Sequence, residues 1–239
     1  MKAIVLAAGK GSRMKSNKIK VAHYVGGKPI VKYLIDTLDE LDVKDIYLVV
    51  GHQFEVLKKE LDNPRITWVM QEEQLGTGHA VMQADSFFNN RKTVLVLPGD
   101  CPLVSKETIS LLIKHHEYYK ASATVLTANM EEPGNYGRIL RDKNEFVKAI
   151  KEAKDCKKEE LEIKEINTGI YLFDSEKLFD ALKRVNNQNA QKEYYLTDVV
   201  AILRKDKDQV AAFCTENSHE IIGINTRLEL AKINKRIFK

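Results

Sequence analysis

The stretch "AIVLAAGKGSRMKS" at residues 3–16 passes from an apolar run straight into glycines and cations, and Lys10, Arg13, Lys15, Lys18 and Lys20 are all basic. Glycines let backbone N–H groups approach a ligand, and flanking cations suit a polyanion such as a phosphate chain. A P-loop needs G-x-x-x-x-G-K-[ST], yet Lys10 precedes Gly11 instead of following it. A Rossmann turn needs a third glycine, but Ser12, Arg13 and Met14 follow Gly11, and no acidic residue closes the next apolar run. What remains is a phosphate chain held in some other way, or a glycine-rich connector with ordinary surface cations. Further along, Asp100 closes the run "VLVLPGD". Taken alone, an Asp at such a place most simply forms a turn.

The elements that must position these residues read as short β-branched runs bounded by Gly, Pro or Asn: "KAIVLA" (2–7), "DIYLVV" (45–50), "RITWVM" (65–70), "KTVLVL" (92–97) and "ASATVLTA" (121–128). Helical spacing lies between them. "PIVKYLIDTLDEL" places Ile30, Tyr33, Leu34, Leu38 and Leu41 on one face, with Pro29 at the first helical position, and "TISLLIKHHEYY" repeats the pattern. This alternation predicts an α/β fold, a Rossmann-like doubly wound sheet of mostly parallel strands with helices on both faces. Ligands of such sheets lie beyond the carboxyl ends of the strands, where "AAGKGSRMK" falls. After about residue 130 the alternation gives way to strand segments around a charged insertion, then a strand over about 162–173, and the chain closes on the helical "TRLELAKINKRIFK".

At 239 residues and 44% hydrophobic content the chain can bury a substantial core. Its 38 Lys and Arg stand against 34 Asp and Glu, a net charge of +4 with the signs interspersed, which does not indicate a nucleic-acid partner. Cys101, Cys156 and Cys214 are odd in number and far apart, against a disulfide framework or zinc knuckle and in keeping with a reducing cytoplasm. No segment approaches the roughly 18 apolar residues of a membrane span.

"LAAGKGSRM", "QEEQLGTGHAV" (71–81), "PGDCPL" (98–103), "NYGRI" (135–139), "EINTGIYLF" (165–173), "EYYLTDVV" (193–200) and "GINTR" (223–227) resemble, in the same order, the sugar-nucleotide pyrophosphorylases. More specifically, they resemble the uridyltransferase domain of N-acetylglucosamine-1-phosphate uridyltransferase. The resemblance implies a nucleotide-diphospho-sugar transferase fold with a small β-rich sugar-binding insertion. The implied reaction joins UTP and N-acetylglucosamine 1-phosphate to give UDP-N-acetylglucosamine and pyrophosphate. It implies that Leu6, Ala7, Ala8 and Gly9 meet the uridine portion, that Arg13 holds the departing phosphates, and that Lys20 contacts phosphate at the reacting centre. Base choice falls to Gln71, Gly76 and Thr77. An amide both donates and accepts, as a uracil edge requires, while Thr77 on propensity alone reads as the N-cap of "GTGHAVMQADSFF". Gly99 and Asp100 complete the nucleotide side. Asp100 and Asn225 are the implied Mg²⁺ ligands, one carboxylate and one amide oxygen of the hard kind that ion prefers. Gly137, Glu152, Asn167 and Asn225 are the implied sugar contacts. His79, the pair His115-His116 and the pair Tyr194-Tyr195 receive no role.

Two positions depart from the pattern. Lys18-Ile19 stands where the family has Leu-Pro, which leaves the loop carrying Lys20 less rigid, and Pro98 replaces a Tyr before Gly99-Asp100. Rival expectations keep the chemistry with another sugar 1-phosphate, such as glucose 1-phosphate with UTP or dTTP, or keep the pocket as a non-catalytic nucleotide-sugar sensor. The nucleotidyltransferase unit is expected over 1–228, with 229–239 a C-terminal helix. No hexapeptide repeat of a left-handed β-helix acetyltransferase domain is visible, so neither acetyl transfer nor a trimer is expected, and a monomer is.

Overall fold

The computed structural model describes residues 1–9, 11–89 and 92–237, so Lys10 lies outside the described residues. Along the chain, β1 (Lys2–Leu6) is followed by a two-residue hairpin, β2 (Tyr24–Val25) and β3 (Lys28–Pro29), and by α1 (Ile30–Glu40). Strand and helix then alternate through β4 (Asp45–Val50), α2 (Glu55–Glu60), β5 (Ile66–Met70), α3 (Thr77–Met82), β6 (Thr93–Pro98), α4 (Lys106–Tyr119) and β7 (Ala123–Asn129). The hairpin β8 (Arg138–Arg141) and β9 (Val147–Lys151), the short α5 (Lys158–Leu161) and β10 (Glu165–Asp174) come next. The chain continues with α6 (Ser175–Leu182), α7 (Asp198–Lys205), β11 (Val210–Thr215) and α8 (Arg227–Ile237).

The main sheet has the order β11-β7-β10-β6-β1-β4-β5, with β8 beside β10 and β9 beside β8. β1 is central because it is apolar on both faces: Ala3 and Val5 enter one core and Ile4 the other, all without exposure. Burying side chains the size of Val5 and Ile4 contributes about 1.5–3 kcal/mol each. β6, β1, β4 and β5 are mutually parallel, as the alternation predicts, and Leu6 is level with Val49 on one side and Pro98 on the other. The expected mostly parallel sheet has its exception at β10, which is antiparallel to both β6 and β7. The reason is topological. The β8–β9 insertion leaves the chain at the carboxyl edge of β6, and β10 runs back from there, with Asn167 level with Thr127 near the end of β7 and Asp174 level with Thr93 at the start of β6.

Helix α1 buries Ile30, Val31, Leu34, Ile35 and Leu38, while Tyr33 and Leu41 sit half-buried at its margin. Pro29 ends β3 and precedes the helix instead of opening it, so α1 begins one residue later than the sequence suggests. Helix α8 closes a third small core of Val25, Ile30, Ile224 and Ile233. No helix among the described residues is long and apolar enough to cross a membrane.

Candidate functional site

After Leu6 the chain keeps one sheet-like bond, Ala7 N–H to the Val49 carbonyl at 2.8 Å, and then leaves the sheet. Gly11, at φ 61°, opens a 3₁₀ turn over Ser12–Met14 whose Met14 is fully buried, which directs Arg13 outward. A second turn, Lys20–Ala22, crosses so closely that a Cβ on Gly11 would lie 2.7 Å from the Lys20 Cβ. The residue therefore has to be glycine on two counts, its left-handed φ and the crossing. Before this turn Ile19 has φ −57° and ψ 142°, values a proline adopts without strain. Ile19→Pro is accordingly expected to remove freedom from the unordered loop and tighten UTP binding by roughly 0.4–1 kcal/mol, about two- to fivefold. Weaker binding in titration calorimetry with the fold intact would mean that the loop takes a different course in the working protein.

Four of the singled-out side chains meet. The Lys20 ammonium bonds the Asp100 carboxylate and lies 3.1 Å from Asn225 Oδ1, which also accepts from the Arg13 guanidinium at 2.9 Å. The Lys20 and Asp100 side chains are only 16% and 14% exposed, so this ion pair is largely withdrawn from water. Asp100 stands at the end of β6, where its carbonyl accepts from Ile224 N–H at 2.9 Å. Asn225 is oriented by its own backbone. Its N–H donates to Glu229 Oε2 at 2.8 Å and its Nδ2 to the Gly223 carbonyl at 3.3 Å, which leaves Oδ1 to the cations. Glu229 also accepts from Thr226 N–H at 2.8 Å and Thr226 Oγ1 accepts from Glu229 N–H at 3.2 Å, a capping box at the start of α8. Arg227 then ties the two loops together, donating to the carbonyls of Met14 at 3.0 Å and Lys15 at 3.1 Å. Thr226-x-x-Glu229 was legible as a capping signature; Arg227 carried no signal of its own.

This cluster adjoins two cavities. One of about 500 Å³ is lined by Leu6, Ala7, Ala8, Gly9, Lys20, Gln71, Gly76, Thr77 and Asp100. The other, of about 340 Å³, holds Gly137, Glu152, Asn167 and Asn225, and the two share Leu6, Thr77 and Pro98. Gly99 lines neither. Its N–H donates to the Leu6 carbonyl at 2.8 Å, and it packs behind the end of β1. Asn167 reaches the smaller cavity from an irregularity in β10, where its Oδ1 accepts from Gly169 N–H at 3.1 Å. Glu152 follows β9 and takes a bond from Thr197 Oγ1 at 3.4 Å. Burial raises its pKa, the charges of Asp155, Asp198 and Glu193 add to this, and the Thr197 bond opposes it.

The first turn of α3 differs from the expected N-cap. Gly76, at φ 112°, occupies the cap and Thr77 is the first helical residue, because the segment after Glu193 is laid against this turn. Gly78 N–H donates to the Tyr194 carbonyl at 2.8 Å and Leu196 N–H to Thr77 Oγ1 at 3.1 Å, while a Cβ on Gly76 would lie 2.6 Å from the Tyr194 oxygen. The helix also ends at Met82, short of the expected Phe88, and a separate 3₁₀ turn follows over Asp85–Phe87. Sequence reasoning passed over Gln74, Glu193, Tyr136 and Thr197, which line the cavities. The motif "EYYLTDVV" marked the segment bringing two of them, but drew attention to its tyrosines. His116 is a core residue, its Nδ1 2.8 Å from Thr124 Oγ1, and burial lowers its pKa; His115 packs on Tyr119 and Phe213.

Two cations, one carboxylate and one amide oxygen converge at the carboxyl edge of the parallel strands, beside two cavities. Such an arrangement gathers phosphates. The chain is 48% identical over 231 residues to the bifunctional protein GlmU of Halalkalibacterium halodurans, covering 96% of this chain and 50% of that protein. It is 46% identical over 234 residues to the bifunctional protein GlmU of Enterococcus faecalis, covering 98% and 51%. The chain thus spans about half the length of the curated relatives it matches. A solved UDP-glucose pyrophosphorylase complexed with UDP-glucose shares the fold, with a TM-score of 0.75 at 18% identity over 99% of this chain and 98% of that one. The family model of the MobA-like NTP transferase domain matches residues 3–201, and the chain belongs to that family.

Proposed function

We propose that this chain joins UTP to N-acetylglucosamine 1-phosphate, releasing pyrophosphate, as a Mg²⁺-dependent UDP-N-acetylglucosamine pyrophosphorylase. The observation that carries the reading is the cluster of Arg13, Lys20, Asp100 and Asn225 beside both cavities. Family membership and the similarity to GlmU proteins along nearly the whole chain support it. The reaction is an in-line attack of a sugar-phosphate oxygen on the α-phosphorus, so two polyanions that repel each other must be held in contact. The larger cavity takes the nucleotide, with Leu6, Ala7, Ala8 and Gly9 beneath the uridine and Gln71, Gly76 and Thr77 at the base. The smaller takes the sugar between Gly137, Glu152 and Asn167. Arg13 neutralises the departing phosphates, and Lys20 serves as a compact positive charge at the reacting centre.

The residues fit a Mg²⁺ site. The hard oxygens of Asp100 and Asn225 already converge on one cation, the Lys20 ammonium, and a Cβ on Gly223 would sit 3.4 Å from the Asp100 carboxylate oxygens. Asp100 and Asn225 would hold the ion through one carboxylate and one amide oxygen, a protein share that substrate phosphates and water would complete. Bound Mg²⁺ supplies charge neutralisation for the triphosphate. Pyrophosphate release with Mg²⁺, UTP and a panel of sugar 1-phosphates tests the reading: the greatest rate is expected with N-acetylglucosamine 1-phosphate, and no release with any sugar would leave a nucleotide-sugar sensor.

Glu152 gives a second check. Between the ordinary carboxylate pKa and its raised value in the folded chain, the folded state holds a proton the unfolded state has lost, so stability falls as pH rises through that window. Glu152→Gln is expected to flatten that fall, read as a urea midpoint that drops less from about pH 4 upward than the parent's does. It is also expected to raise KM for the sugar phosphate while leaving KM for UTP unchanged. An unaltered sugar KM would take Glu152 out of the sugar site.

A further inference from the structure

Gln71 is 3% exposed, and its backbone N–H continues the sheet by donating to the Val50 carbonyl at 2.8 Å. Its side-chain Nε2 lies 3.2 Å from the Gly76 carbonyl and 3.0 Å from His79 Nδ1. A primary amide has two N–H groups, and both are thereby taken by the protein. Its oxygen meets no protein donor among the described residues, and the side chain lines the larger cavity. The sequence expectation that this amide both donates to and accepts from a ligand is therefore halved: toward the cavity it can only accept.

His79 is what makes this orientation firm. A neutral imidazole has one bare nitrogen and one N–H, and its two nitrogens face Gln71 Nε2 at 3.0 Å and Gln83 Nε2 at 3.2 Å. Gln83 Nε2 also donates to the His79 carbonyl at 3.0 Å, but Gln83 is half-buried and can give up both contacts and swing toward water. Gln71, 3% exposed, has no such outlet, and turning it over would set its oxygen against the Gly76 carbonyl. The bare nitrogen is Nδ1.

We infer that His79 is a positioning residue that fixes Gln71 as an acceptor, so that the site selects a base with a ring N–H, as uracil, thymine and guanine have, over cytosine and adenine, whose corresponding nitrogen accepts. Two acceptors brought face to face in a buried site lose a bond and leave both groups unsatisfied, the arrangement by which sites reject a wrong ligand most strongly. The inference rests on the nucleotide reading of the larger cavity but not on the identity of the sugar.

The test is calorimetric titration of the full chain with UTP, GTP, CTP and ATP, each with Mg²⁺ and without sugar phosphate. The parent is expected to bind UTP more tightly than CTP by about tenfold or more. His79→Phe, which keeps a ring but offers no acceptor, is expected to bring that ratio down by about tenfold. His79→Asn, whose side-chain oxygen can accept near the Nδ1 position, is expected to restore it. Nitrogen NMR of the parent is expected to show His79 with a bare Nδ1, a readout independent of any variant's folding. A protonated Nδ1 in neutral His79, CTP or ATP bound as tightly as UTP, or a folded His79→Phe with the parent's ratio would overturn the inference. GTP preferred over UTP would leave it standing and remove the uridyl reading instead.

Discussion

Asp100→Asn is expected to cut turnover by about 10²- to 10³-fold, the cost typical of removing one electrostatic contributor at a reacting centre. Asp100 is the one carboxylate among the four clustered side chains, and its charge faces the Lys20 ammonium at a place mostly withdrawn from water. Asn keeps the shape and a neutral oxygen but removes the full charge, whereas Asn225→Ala removes only a neutral oxygen, so Asp100→Asn should cost more. The charge matters most as it develops between the α-phosphate and the leaving pyrophosphate, and the loss should therefore fall on kcat and on kcat/KM alike. Excess Mg²⁺ is expected to rescue Asn225→Ala better than Asp100→Asn, and EDTA to abolish activity in the parent. Urea denaturation separates the trivial outcome, since a largely desolvated ammonium left without its carboxylate also costs stability. Full turnover in EDTA, or a folded Asp100→Asn as active as the parent, would remove this site from the mechanism and return the sensor reading.

Periodicity placed β1, β4, β5, β6 and β7 within a residue or two, because strands buried on both faces are written as continuous apolar runs. Strand direction is not written that way. β10 carries the same kind of run as β6, and only its entry from the β8–β9 insertion makes it antiparallel. The meeting of Arg13, Lys20, Asp100 and Asn225 was equally invisible to local pattern, since the two ends of the cluster lie 212 positions apart in the chain. It came from the family resemblance. Local reading failed wherever a distant segment overrode a residue's own preference. Thr77 loses the cap because Tyr194 and Leu196 take up the first turn of α3, and Glu152, in a Lys- and Glu-rich stretch that suggests a solvated face, is drawn inward beside Thr197. Gln71 follows the same rule: its residue type gives two functions toward a ligand, and Gly76 and His79 use up one of them.

Gly11→Ala is expected to lower kcat by about 100-fold although Gly11 lines neither cavity. The added methyl would meet the Lys20 Cβ at 2.7 Å, closer than carbon atoms approach, and the Lys20 Cα at 3.4 Å. The collision is with the root of the side chain, so a change of rotamer cannot relieve it, and the turn carrying Lys20 must move. A shift of about 1 Å at a reacting centre costs on the order of 100-fold, because the bound groups leave the geometry from which attack occurs. Ala also bears the left-handed backbone penalty of about 1–2 kcal/mol at φ 61°. Gly27 separates the two effects: it has φ 86° in the β2–β3 turn, with nothing within 4 Å of its would-be Cβ. Gly27→Ala should lose similar stability and keep its turnover, whereas Gly11→Ala should lose both. Equal turnover in the two variants, with urea denaturation showing equal stability loss, would mean that the crossing of the two turns does not set the position of Lys20.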